Sequence, residues 1–139
     1  MSDYGKYTSE LIQQFWDYVD TESSGEKNHL ESPNRNVQRP PVFRKKFASE
    51  NILISPETDD HTRNTIVSTL PINERHKYFA SMRSSQALAQ SVFGNLAARG
   101  ALSLLSGLSS EEGLLAFGVD LERTSMQLEY NVKHLGEPR

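Results

Sequence analysis

The stretch from Ser84 to Gly100, SSQALAQSVFGNLAARG, constrains the fold more than any other part of the chain. Leu88, Val92 and Leu96 recur one turn apart and Ala89 and Phe93 widen the stripe, a period that belongs to a helix with one apolar face. Ser84 can cap its start, and Arg99 with Gly100 supplies a basic last turn and a glycine just past the end. This segment is expected as the central core helix. A glycine inside a helix costs about 1 kcal/mol relative to alanine, so Gly94 implies that another element passes close at that point. A core is within reach, because a chain near 150 residues can bury roughly 70% of the surface it exposes when unfolded. It is a modest one, since only 36% of the 139 residues are hydrophobic and the mean hydropathy is -0.59.

The rest of the chain arranges itself around that helix. TSELIQQFWDYVD, from Thr8 to Asp20, places Leu11, Ile12, Phe15, Trp16 and Val19 at helical spacing behind a Thr8 or Ser9 cap. Residues 20–42 have few apolar side chains, three prolines and no period, which predicts a mobile linker or loop. VFRKKFASENIL reads as a short helix with Phe43 and Phe47 one turn apart. In SPETDDHTRNTIVSTLP, Ser55 stands as N-cap, Pro56 as first helical residue and Pro71 beyond the end. ALSLLSGL predicts a further short helix, and GLLAFGVDLE a loop or short apolar strand. The expected core is Leu11, Phe15, Trp16, Leu88, Val92, Phe93, Leu96, Leu104 and Leu105.

The final residues, QLEYNVKHLGEPR, change period. From Leu128 to Leu135 apolar and polar residues alternate, the mark of a half-buried strand, before Gly136 and Pro138 break the pattern. The organisation expected is therefore an N-terminal amphipathic helix over 1–19, a linker over 20–42, and a helical domain over 43–139 that ends in a first strand or hairpin.

Charge is unevenly spread. Residues 1–34 hold seven acids against two bases, residues 35–99 five against ten, and residues 100–139 six against three. A basic middle between acidic ends can attract phosphate, or can be an ordinary solvated surface. The chain has no cysteine, which closes thiolate chemistry and fits a reducing cytoplasm. No apolar run is long enough to cross a bilayer and the first residues do not form a signal peptide. The histidines at 29, 61, 76 and 134 show no metal-ligand spacing, no G-x-S-x-G elbow occurs, and the eight glycines are too dispersed for a phosphate-cradling loop.

The stretch NERHKYFASMRSSQALAQSVFGNL, residues 73–96, carries the best candidate site. Arg75, His76, Lys77 and Arg83 precede the helix, Tyr78 and Phe79 interleave with them, and Ser84, Ser85 and Gln86 stand at a helix start with unsatisfied amides. Cations, aromatic rings and a helix N-terminus together can contact phosphate or nucleic acid. The alternative is that Tyr78 and Phe79 are core and the cations decorate the surface.

RHKYFASMRSSQALAQSVFGNL, together with LEYNVKHLGEP, also resembles the front half of a restriction-endonuclease-like family within the PD-(D/E)XK nuclease superfamily. In that family an R-H-x-x-F-x-S-x-x-S-S-Q-A-L-x-x-x-x-F-G segment precedes an L-E-x-x-V-x-x-L-G-E strand. Arg75, His76, Phe79, Ser81, Ser84, Ser85, Gln86, Ala87, Leu88, Phe93 and Gly94 match the first pattern. Leu128, Glu129, Val132, Leu135, Gly136 and Glu137 match the second, so the resemblance spans about residues 73–138. It implies an α+β class: a mainly helical front part of a restriction-endonuclease-like fold with a small C-terminal β element. It also implies metal-assisted phosphodiester hydrolysis of DNA with Mg2+ or Mn2+, in which Glu129 would be the catalytic and metal-binding acid and Glu137 a weaker candidate.

Such chemistry needs hard oxygen ligands for the cation and a lysine two residues after an acid. The residues two before Lys6, Lys27, Lys45, Lys46, Lys77 and Lys133 are Tyr4, Gly25, Phe43, Arg44, Arg75 and Asn131, so the chain holds no acid-x-lysine. The expectation is the binding and scaffold part of a truncated endonuclease, inactive and metal-free alone, whose missing C-terminal half or second copy would complete it. A non-catalytic nucleic-acid-binding module and a helical protein-protein interaction domain are the two alternatives.

Overall fold

The computed structural model describes residues 3–22 and 24–118 and, singly, Leu121, Met126 and Leu128. The chain divides into two compact units, one of Met1–Ile52 with His76–Leu88 and the other of Leu53–Arg75 with Ala89–Arg139.

The first unit is built on α1 (Asp3–Thr21), which buries Ile12, Trp16 and Val19, spaced four and three residues apart as one helical face requires. Leu30 and Phe43 complete the cluster, with Phe47, Ala80 and Met82 against it. Trp16 is 2% exposed, and its indole N–H donates to both Asn36 O and Arg39 O at 2.8 Å. Arg35 reaches Asp17 at 2.6 Å and Asp20 at 3.1 Å, and Lys27 joins Asp20 as well. The aperiodic stretch before residue 42 is therefore tied to α1 by an indole and a charge cluster. Hydrogen bonding and attraction from Lys27, then Arg35, hold the Asp20 carboxyl below its ordinary range. A lowered carboxyl pKa stabilises the fold above the unfolded value, so these ties weaken as pH falls through the acid range.

Extended backbone in this unit is brief. Leu30 bridges Phe43 and Val42 bridges Ser81, both antiparallel. Phe43 N–H donates to Ala80 O at 2.9 Å, Met82 N–H to Pro41 O at 3.0 Å and Arg44 N–H to His29 O at 2.8 Å. Pro40 and Pro41 on one side and a 3-10 turn over Lys45–Asn51 on the other leave too few extended residues for a ladder. The short helix expected in VFRKKFASENIL thus takes the 3-10 form.

The expected fold class is corrected by these observations. The described residues are mainly helical and contain no strand and no sheet, only single-residue bridges, so the α+β front part of a restriction-endonuclease-like fold is not what they form. The apolar run after Gly113, which has φ +80°, folds back through one Ser109 to Leu115 bridge, with no further pairing among the described residues. The alternating stretch after Leu128 lies outside the described residues.

In the second unit, α2 (Asp60–Ser68) is capped by Asp59, whose carboxylate accepts the Thr62 N–H at 2.9 Å. The expected cap, Ser55, instead opens a turn that Thr58 N–H closes on Ser55 O at 3.0 Å. The long periodic segment forms α3 (Ser85–Ala89), a π-helical turn (Gln90–Gly94) and α4 (Asn95–Ala98), and the division between the units falls within it. It closes as expected: Gly100 has φ +64°, its N–H donates to Ala97 O at 3.1 Å, and Ala101 N–H donates to Leu96 O at 2.7 Å.

The buried face of this helix differs from the one its leucines predict. Gln90, Ser91 and Gly94 are buried, whereas Leu88 and Val92 are 60% and 46% exposed. Small and polar side chains face inward because the π-turn meets α2 at close range and serves backbone groups. The Gln90 amide donates to Ile66 O at 3.1 Å and Val67 O at 3.0 Å, satisfying carbonyls at the end of α2. Ser91 Oγ accepts the Leu53 N–H at 2.9 Å, and Asn95 Nδ2 donates to Leu53 O at 2.9 Å. Two helix side chains thus replace the strand that would otherwise pair with Leu53.

Gly94 is the point of closest approach. A Cβ there would stand 3.0 Å from Thr69 Oγ1 and 3.3 Å from Ile66 Cγ2. The Thr69 hydroxyl is held by its 2.7 Å donation to Ile66 O, so it cannot turn aside without losing a bond. Overpacking of this kind costs about 1–3 kcal/mol, against about 1 kcal/mol of helix propensity gained. Gly94→Ala is therefore expected to lower the urea midpoint by the equivalent of about 1 kcal/mol. A raised midpoint would show that Thr69 yields.

Candidate nucleic-acid interface

The residues 76–86 fold as a succession of tight turns leading into α3. Phe79 N–H donates to His76 O at 2.9 Å, Ser81 N–H to Tyr78 O at 3.0 Å and Ser84 N–H to Ser81 O at 2.8 Å. Asn51 holds the run against its own unit, with Nδ2 donating to Phe79 O and Ser81 O at 2.7 Å each. Phe79 turns inward and is buried; Tyr78 turns outward. Phe79 is therefore a core residue, as the alternative reading expected, and Tyr78 is not.

The sequence-predicted polar residues separate into two groups. Ser84 Oγ accepts the Ala87 N–H at 3.2 Å, the capping role expected of it, and the Gln86 side-chain oxygen accepts the His76 N–H at 2.7 Å. These atoms are engaged inside the protein. Ser85, His76, Lys77 and Arg83 are exposed. Lys77 Nζ lies 4.8 Å from the centroid of the Tyr78 ring, and the His76 ring is tilted against that ring at 5.3 Å. Arg83 donates to the Tyr4 hydroxyl at 3.4 Å. Neither Lys77 nor Arg83 is paired with a carboxylate among the described residues. Arg75 belongs to the second unit, where its N–H donates to Ile72 O at 3.2 Å and burial pushes its guanidinium below the ordinary value.

One feature of this cluster escaped the sequence. Tyr4 joins the cluster across 79 positions of chain, which no local pattern signals. Arg44, Lys45 and Lys46 are exposed in the same unit, with Lys46 Nζ 4.6 Å from the Phe47 ring. Phe47 also stacks on His29 at 3.8 Å, and His29 Nδ1 lies 2.8 Å from Glu50.

Glu129 and Glu137 lie outside the described residues. Among the described residues no three His, Asp or Glu side chains converge as cation ligands, so the oxygen donors that Mg2+ or Mn2+ requires are not gathered there. None of their helices is long and apolar enough to cross a membrane. No family model matches the sequence, and no characterised protein or solved structure matches the chain. The nuclease resemblance accordingly rests on the residues quoted for it.

Proposed function

We propose that this chain contacts nucleic acid through the exposed cations of the 76–86 turn run and does not cleave it alone. In the wider reading that the resemblance supplies, it is the contacting part of a cytoplasmic, metal-dependent DNA endonuclease whose cation and acid-x-lysine come from outside this chain. The observation that carries the binding is the exposure of Lys77 and Arg83 with no carboxylate partner among the described residues, on a backbone fixed by Asn51. Cations held this way lose little on meeting a phosphate, because no internal ion pair must break.

Binding of a fluorescein-labelled DNA, followed by anisotropy between 50 and 200 mM salt, tests this directly; affinity should fall steeply with salt. Lys77→Ala and Arg83→Ala should each flatten the log-log slope by about one unit. Salt-insensitive binding, or none, rejects the proposal. Incubation with supercoiled plasmid and magnesium or manganese should leave the plasmid intact, and EDTA-sensitive nicking would show that the chain does its own chemistry.

Exposed Leu53, Leu104, Leu108 and Leu114 in the second unit favour the other reading, a helical surface that meets another protein or a second copy. Sedimentation velocity across a concentration series decides it: self-association without DNA binding belongs to that reading.

A further inference from the structure

The aromatic rings of the first unit narrow the kind of nucleic acid involved. Tyr4 is 71% and Tyr78 61% exposed, each presenting a large ring to water. Both are joined to the cations of the interface, Tyr4 through its hydroxyl to Arg83 and Tyr78 through its ring beneath Lys77. We infer that Tyr4 and Tyr78 are a stacking platform for the bases of an unpaired strand, with Lys77 and Arg83 taking its phosphates.

The physical reason is that a duplex keeps its base faces stacked inside, where an exposed tyrosine cannot reach them. An unpaired strand presents each base face and its phosphate side by side, the arrangement that alternating rings and cations meet. Stacking is indifferent to sequence and to the sugar, so DNA and RNA strands share the same recognition.

This inference rests on the nucleic-acid reading above, and the test separates the two. The full chain is titrated into labelled dT16, rU16 and a 16-base-pair duplex under one salt condition. Either single strand should bind at least about tenfold more tightly than the duplex. Tyr78→Ala should weaken single-strand binding roughly 5- to 100-fold and leave duplex binding within about twofold, since stacking on an aromatic side chain is worth that much per base. Tyr78→Trp should restore it. Tyr78 is exposed, and an unchanged circular dichroism spectrum will show that the variants fold. Equal affinity for duplex and single strands, or an unaffected Tyr78→Ala, overturns the platform while leaving phosphate contact standing. Failure of all three nucleic acids to bind removes the underlying reading as well.

Discussion

Trp16→Ala should destabilise the protein by about 3–5 kcal/mol, the cost of deleting a buried large aromatic side chain. Trp16 touches the centre of the first unit's core, and its indole is also the peg on which the following segment hangs. One N–H shared between two carbonyls leaves both without that donor when it is lost, so apolar replacement does not repair the site. Trp16→Phe keeps most of the ring area and forfeits the two donations, and is expected to cost about 1–3 kcal/mol. The difference between the variants measures packing apart from hydrogen bonding. Urea unfolding followed by far-ultraviolet circular dichroism is the suitable readout, because Trp16 is the chain's one tryptophan and both variants remove its fluorescence. A Trp16→Ala loss below about 1 kcal/mol would mean that the 24–42 segment is held by something else.

What the sequence made legible follows from what local periodicity can encode. The apolar face and the end of α1, the run from Ser85 to Ala98 and the left-handed Gly100 after it were readable, because spacing and terminators are properties of neighbouring residues; the start of α1 was not, since the helix begins at Asp3 and holds the expected caps Thr8 and Ser9 inside it. The facing of the second helix was not. Its leucines form the more apolar stripe, but Gly94, Ser91 and Gln90 face inward to let α2 approach and to bind the backbone of Leu53 and the end of α2. Those partners are 21 to 42 residues away and leave no periodic trace. The α2 cap was misplaced for a related reason: Ser55 and Asp59 both suit a cap, and the turn at Ser55 decides between them only in three dimensions.

The candidate interface shows the same division. Interleaved cations and rings between Arg75 and Arg83 are visible in the sequence, and the structure keeps Lys77, Tyr78 and Arg83 outward. The inward turn of Phe79 and the arrival of Tyr4 depend on long-range packing. The resemblance also carried an expected C-terminal β element, whose alternating stretch lies outside the described residues; the described residues form single bridges and no ladder. Matching a motif fixes which residues recur, whereas strand formation needs a partner backbone of adequate length.

Gln90→Glu should be the most informative substitution in the second unit, because its effect should change with pH. Gln90 is 0% exposed, and its amide nitrogen donates to Ile66 O, Val67 O and, at 3.4 Å, Thr69 Oγ1. Its own oxygen is buried without a hydrogen-bond partner. Glutamate has the same shape but, when ionised, presents two acceptors to those carbonyls and a charge to a site that excludes water. The carboxyl must therefore stay protonated in the folded state, raising its pKa above the unfolded value of about 4.3. A raised carboxyl pKa costs nothing below the unfolded value, and the cost grows at about 1.4 kcal/mol per pH unit until the folded pKa is reached. At pH 4 the variant should lie within about 1 kcal/mol of wild type, its O–H standing in for one N–H donor. By pH 8 it should lose roughly 3–5 kcal/mol, the usual consequence of a buried charge without a partner. Gln90→Leu removes the donor and the orphaned oxygen together, and its cost of about 1–3 kcal/mol should be the same at both pH values. Urea midpoints of the three proteins from pH 4 to 8 give the comparison. Parallel curves for the Glu and Leu variants would mean that the side chain at 90 reaches water, and that the carbonyls closing α2 are satisfied by something other than Gln90.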